Sequence, residues 1–320
     1  MRMPGGHIVK DIMMRPIALV SLALAFLLAL PTAAAAAEPR VKLGYGRLVT
    51  NDYIGDGHDR WRTGSVATSR VWGPEWDGAL PDGIGQLLEL RVNAQIIAPQ
   101  DLNAPAPGDR PYAGSIAVGL HTHYAALGNE VSLGGDLVFT GPQTGLDGFQ
   151  SFIHDNFNGQ GVGAGVRGAQ IGNHVYPTAV AEVGRTILLG GAALRPFAEA
   201  RAGAETLMRI GADFTFGGVL TGALLVRDPV TGQRYRTAGS NLPGYAFVVG
   251  ADTAYVEDSA YLPSSRGYSL SDSRNRVRAG VHYGADAGHR AFYGLTWLDR
   301  EFKGQKESQI VGSVRLHIKF

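Results

Sequence analysis

From Leu88 to Ile96 the chain alternates without a break: Leu88, Leu90, Val92, Ala94 and Ile96 are separated by Glu89, Arg91, Asn93 and Gln95. A period of two puts these sets on opposite faces of a β-strand, one aliphatic and one charged or amide-bearing. Apolar outward and charged inward is the pattern of a lipid-facing wall around a polar lumen. This run constrains the fold more than any other, because a helical period would mix the two sets on every side.

The first 37 residues read as an export signal. Arg2, Lys10 and Arg15 precede an apolar run over residues 17–30, and a string of alanines ends at Ala37 as a small-residue cleavage site. The apolar run is shorter than the ~20 residues that a spanning helix needs. Residues 38–320 are then expected to form the mature barrel. The signal contains three of the 29 basic residues and one of the 28 acidic ones, so the remainder is nearly neutral. That balance argues against a nucleic-acid partner, which would need a basic excess. With no cysteine in the chain, a disulfide framework and a thiolate zinc site are both excluded.

Strand patterns separated by turn residues recur over residues 41–49, 63–72, 84–98, 112–126, 130–140 and 177–189, and again from Leu194. They resume over 245–256, 277–283, 291–298 and 309–320. Residues 202–242 are ambiguous, with Asp228-Pro229 and Gly232 suggesting a long excursion or an extra hairpin. The expected fold is therefore all-β, a transmembrane antiparallel barrel of about 12 strands. A short helix in one extracellular loop interrupts it. That helix follows Gly141-Pro142, and its Leu146, Phe149, Phe152 and Ile153 recur at helical spacing, predicting a face buried against a wall. Gln150 and His154, four apart, share another side.

The last residues, Arg315 to Phe320, alternate strictly and end on phenylalanine. This ending resembles the signal read by the barrel-insertion machinery of bacterial outer membranes. In an even-stranded barrel both termini lie on the periplasmic side, so the loops after the first, third and fifth strands face outward. Those loops carry Asn51-Asp52 with Asp59-Arg60 and Thr63, then Asp109-Arg110-Pro111-Tyr112, then Gln150 and His154. Three clusters distant in sequence are expected to meet at one rim. Taken singly each has a bland reading, since Asn-Asp is a common turn former and Asp-Arg a common ion pair across strands.

The order of these motifs, from Asn-Asp through a DR loop, DRPYAG and GP followed by Q-x-x-x-H, resembles the outer-membrane lipid A 3'-O-deacylases. The resemblance spans residues 41–320. It implies a 12-stranded barrel that removes the 3'-acyloxyacyl chain of lipid A in lipopolysaccharide, with calcium as cofactor. It also implies His154 as general base, surrounded by Asn51, Asp52, Thr63 and Gln150, with Asp52 as the metal's carboxylate ligand or as the residue that orients the histidine, and Asp109 and Arg110 binding substrate. The chain departs from the family where Arg62 replaces an aromatic before Thr63. It also lacks an acidic residue shortly after the histidine, where Gln160 stands, and keeps only part of a motif over 169–173.

Competing chemistries find less support. None of the nine histidines is followed two residues later by serine, and no G-x-S-x-G elbow occurs. His121 and His123 form a pair on one strand face without a third ligand, a structural arrangement rather than a zinc site. An outer-membrane phospholipid esterase and a non-catalytic lipopolysaccharide-binding barrel are the alternatives. A porin would need a larger barrel, commonly of ~16–18 strands.

Overall fold

The computed structural model describes residues 40–156, 161–239, 242–286 and 288–319. The export signal at 1–37, Gln160 and the terminal Phe320 lie outside them.

Twelve strands form the wall: β1 (Val41–Asn51), β2 (Trp61–Gly73), β3 (Leu87–Ala98), β4 (Ala113–Ala126), β5 (Asn129–Thr140), β6 (His174–Gly184), β8 (Ala192–Ala202), β9 (Glu205–Phe216), β12 (Gly244–Ser259), β13 (Arg274–Gly284), β14 (Arg290–Leu298) and β15 (Gln309–His317). Each pairs antiparallel with its neighbours. The cylinder closes where β6 meets β8, with Ala179 opposite Ala202, and where β1 meets β15, with Val49 opposite Val314. Strand β7 (Ile187–Leu189) only lengthens the hairpin with β8, so the expected run 177–189 is interrupted at Arg185-Thr186.

The alternation sorts as anticipated. On β3, Glu89, Arg91 and Asn93 are buried inward while Leu90 is exposed outward. The lumen holds its charges in pairs. Arg227 bridges Glu182 at 2.7 Å and Asp213 at 2.9 Å, and Asp252 collects Arg276 at 2.9 Å together with Arg209 and Arg278. Such buried pairs contribute little net stability but are costly to break one-sidedly, by ~3–5 kcal/mol.

Residues 202–242 contain the wall strand β9 and an extra hairpin, β10 (Leu224–Arg227) and β11 (Arg234–Ala238). This hairpin lies inside the lumen. Tyr235 is fully buried against Leu48, Ala67, Val226 and Phe292, and its hydroxyl is 2.7 Å from Ser69. Gln233 donates to the carbonyls of Ala279 and Leu295, and Arg276 donates to those of Pro229 and Val230. Gly44 and Gly46 of β1 admit this close approach, since a Cβ on Gly44 would stand 2.0 Å from the Thr237 carbonyl oxygen. The hairpin is therefore a plug.

Candidate functional site on the outer face of the wall

The two helices, α1 (Leu146–Asn156) and α2 (Ala164–Gly168), rest against the outside of the barrel. On β4, Ser115, His121 and His123 are buried inward, whereas Val118 and Leu120 are exposed outward, so Gly114 belongs to the outward set. A Cβ on Gly114 would meet Thr144 Oγ1 at 2.4 Å and Leu146 Cβ at 3.1 Å. The segment entering α1 thus crosses the outer surface of β4 with no room for a larger residue. Beside it, Ile96 and Ala98, also outward, pack with Leu102, Tyr112, Val162 and Val166. This small apolar cluster holds the helical loop on the wall.

The orientation of α1 differs from the expectation. Gln150 is its buried residue, at 4% exposure, while Phe149 and Phe152 are 55% and 63% exposed. A helix outside a membrane barrel can leave its apolar face outward, where a soluble protein would have to cover it.

The turn after β1 is knitted to the start of β2. Asn51 Nδ2 donates to the Thr63 carbonyl at 2.8 Å, Tyr53 N–H donates to Asn51 Oδ1 at 2.9 Å, and Asp52 N–H donates to the Thr63 carbonyl at 3.1 Å. Across the gap, the pairing of β2 with β3 slips by one residue between Trp61 and Gly64. Trp61 lies in the left-handed region at φ 54°, which a bulky residue enters only at a cost of ~1–3 kcal/mol. Its burial, its indole bond to Asp109 Oδ1 and the Arg60 guanidinium 4.6 Å from its ring hold it there. Bulges of this kind re-aim side chains next to functional sites.

Two carboxylates lie beside the bulge, Asp52 in the turn after β1 and Asp59 two residues before Trp61. Asp52 is 1% exposed; its Oδ2 accepts the Arg60 N–H at 2.7 Å, and Thr63 Oγ1 lies 3.3 Å from its Oδ1. The Thr63 hydroxyl also reaches Asp59 Oδ1, so its single proton is shared between the two carboxylates. Asp59 Oδ2 in turn meets His154 Nε2 at 3.1 Å. Burial pushes the Asp52 carboxyl up to about 8, and the nearby negative charges of Asp59 and Asp56 add to that. The bonds from Arg60 N–H and Thr63 pull the other way. Asn51, Asp52, Thr63 and His154 are thereby brought into one bonded group, with Asp59 as the connecting member. Sequence reasoning left Asp59 at the rank of an ion-pair residue, because its histidine partner comes from a distant helix.

Gln150 sits one turn before His154 on the same helix. Its Oε1 and the Tyr112 hydroxyl are buried without hydrogen-bond partners among the described residues. The Tyr112 hydroxyl is held above its ordinary value by burial and by Asp147. Arg167 of α2 ties the helices together, donating to Ser151 Oγ at 2.7 Å and lying 3.5 Å from Asp147.

Asp109 and Arg110 are turned into the packing of the rim. Asp109 accepts from Trp61 and from the N–H groups of Gln100 and Arg110, both at 2.7 Å. The Arg110 guanidinium, 1% exposed, lies 3.4 Å from Glu301. Arg62 donates to both Glu301 oxygens at 2.7 and 2.9 Å and to Gln95 at 2.7 Å. Burial alone would raise the Glu301 carboxyl, but Arg62, Arg110 and Arg274 hold it well below the usual range. His121 and His123 each take their own carboxylate inside the lumen, Asp136 at 2.9 Å and Glu89 at 2.7 Å.

A family model described as outer membrane protein LpxR matches residues 20–320. The chain belongs to the LpxR family. Among solved structures, LpxR from Salmonella typhimurium superposes with a TM-score of 0.69 at 19% identity, covering 86% of this chain and all of that one. Two porins align more weakly. KdgM covers 87% of this chain and 100% of its own at 6% identity, with a TM-score of 0.37. NanC covers 88% and 100% at 7% identity, with a TM-score of 0.39. No curated protein matches the chain. LpxR-family membership and the closed barrel make this a protein of the outer membrane.

Proposed function

We propose that the chain is an outer-membrane esterase that removes an acyl or acyloxyacyl chain from lipid A, at the 3'-O position, with His154 as general base. The observation that carries this reading is the bonded series Thr63, Asp59, His154 on the lipid-facing side of the wall. The family's lipid A deacylase activity supplies the substrate class. A centre at this place faces the acyl chains of the outer leaflet.

Ester hydrolysis asks for a base that titrates near neutral pH, which imidazole provides. As water attacks the ester carbonyl, its proton passes to His154, and the imidazolium later returns it to the departing sugar oxygen. Asp59 fixes the ring and stabilises the imidazolium while it exists. Asn51 holds the turn that presents Asp52, and Gln150 lines the buried side of the helix.

Calcium prefers hard oxygen ligands. Among the described residues no group of three His, Cys, Asp or Glu side chains gathers as a metal site. The two carboxylates meeting at Thr63 nonetheless fit such an ion, because Asp52 is buried beside further negative charge and its carboxyl is raised for that reason. Asp52, Asp59 and the Thr63 hydroxyl would hold the cation. When bound it would supply positive charge for the developing oxyanion.

The plug weighs against transport as the main role, since the hairpin occupies part of the lumen with bonded side chains. The alternating last strand would engage the barrel-insertion machinery. Purified protein in detergent, incubated with lipid A and calcium, should release a 3-acyloxyacyl fatty acid. No release from well-folded protein would refute the proposal.

A further inference from the structure

Beside the plug the lumen keeps a cavity of about 920 Å³. Its lining includes Gly128 and Asn129 from the turn between β4 and β5, Gly190 and Gly191 after β7, and Gly217 and Gly218 ahead of the hairpin. These turns lie at the end that carries both termini, the periplasmic end of an even-stranded barrel. Toward the opposite rim the cavity stops. Arg91 and Arg201 line both it and a space of about 80 Å³ that reaches Tyr261 and Glu301, room for a few waters but not for an organic molecule. Cavities of ~300–1,000 Å³ with a few placed polar groups are of the size that takes small ligands.

The charges of this lining are unevenly matched. Among the described residues Arg234 of β11 has one carboxylate within ion-pair reach, Glu130 Oε2 at 3.8 Å, too far for a hydrogen bond. That oxygen already accepts Arg195 Nε at 2.6 Å, and the other oxygen of Glu130 takes the Thr186 hydroxyl. The remaining lining carboxylates are engaged too, Glu182 with Arg195 and Arg227 at 2.8 and 2.7 Å and Glu199 with Arg201. Behind the lining, Glu89 serves Arg91, and Asp213, which Arg227 also reaches, is shared with Arg278. The balance left to the cavity is positive and rests on Arg234, whose side chain is 17% exposed to it. A guanidinium carries five donors in a planar fork that matches a carboxylate or phosphate. Apolar groups line the same cavity. Leu80, Leu188, Phe216 and Leu220 face it together with Trp76, whose indole is anchored on the Gly222 carbonyl at 2.7 Å.

We infer that this cavity is a binding site for a small organic anion, whose phosphate or carboxylate group is taken by Arg234 and whose apolar remainder lies against Trp76 and its neighbours. The site is separate from the centre at His154, which stands on the outer face of the wall near the other rim, and it needs no ester chemistry. Because Arg234 belongs to the hairpin while Arg195 and Arg201 belong to the wall, the anion is held where plug and wall face each other.

The test is isothermal titration calorimetry on the full chain in non-ionic detergent at low salt, with heat-modifiable gel mobility as the check that each variant is folded. The probes are phenyl phosphate, inorganic phosphate and the uncharged benzyl alcohol. Phenyl phosphate should bind saturably at one site and more tightly than either of the others. Arg234→Gln should weaken it about tenfold or more, as the loss of a charge-assisted pair does. Glu130→Gln removes the carboxylate that faces Arg234 and should tighten it severalfold, a gain that a misfolded variant cannot mimic. No saturable binding of phenyl phosphate, equal affinity for benzyl alcohol, or unchanged affinity in folded Arg234→Gln or in Glu130→Gln would overturn the anion site. Inorganic phosphate binding as tightly as phenyl phosphate would overturn the assignment to an organic anion. Neither result depends on lipid A turnover, so the esterase reading is decided separately.

Discussion

His154 Nε2 lies 3.1 Å from Asp59 Oδ2, and the Thr63 hydroxyl reaches the other oxygen of Asp59. A loop between the first two strands and a helix after the fifth are thus joined through one carboxylate. An imidazole paired in this way has its orientation set before any substrate arrives.

Asp59→Asn keeps the shape and removes the charge. Turnover should fall roughly 10²–10⁴-fold, the range a positioned general base contributes, with KM little changed. An unaltered rate would return Asp59 to the reading of a structural ion-pair residue.

Asp52 has a carboxyl raised from 3.8 to about 8. A group whose folded value is raised binds a proton more tightly in the folded protein, so its stability contribution is complete below about 4 and is lost as pH rises through 8. Asp52→Asn should therefore make the barrel more resistant to urea at pH 9 than the unaltered chain, by about 2–5 kcal/mol, with little difference at pH 4. Calcium competes with that proton, so half-maximal calcium should fall as pH rises from 6 to 9, and chelation should suppress turnover. Asp52→Asn should abolish the calcium response.

Glu301 behaves in the opposite sense. Its carboxyl is held well below the usual range by Arg62, Arg110 and Arg274 despite burial. Its contribution is present above the ordinary glutamate value and declines as pH falls through the depressed one. Glu301→Gln leaves three buried guanidinium groups short of a carboxylate and should cost about 3–5 kcal/mol at pH 7. Urea unfolding in detergent measures this, and the difference should shrink in strong acid.

The lumenal hairpin predicts a closed barrel. In planar bilayers the protein should show no steady conductance, and deletion of residues 224–238 should produce one if the wall remains folded. Gly44→Leu should act in the same direction, since a side chain there would push the Thr237 carbonyl aside. Steady open channels from the unaltered chain would contradict the plug.

Much of the wall was legible because lipid outside and charge inside leave a period of two, as between Leu88 and Ile96. The plug was not. Strands surrounded by other strands lose that alternation, and Leu224 to Arg227 is buried at three of its four positions. Helical spacing marked an apolar face on α1, but periodicity cannot say whether a core or a bilayer will meet it. Asn51, Asp52, Thr63, Gln150 and His154 enter through the family resemblance that the order of their motifs carries. Asp59 could not be promoted among them, because its partner is supplied by a distant helix. Nothing in Arg60-Trp61-Arg62 announces the left-handed backbone at Trp61, which depends on burial between two loops.

The central claim is tested most directly by mass spectrometry of lipid A from cells expressing the unaltered chain or His154→Ala, with calcium present and folding of both barrels verified. The account predicts loss of one 3'-acyloxyacyl unit with the unaltered chain and intact lipid A with the variant. Intact lipid A in both, or equal loss in both, would contradict it.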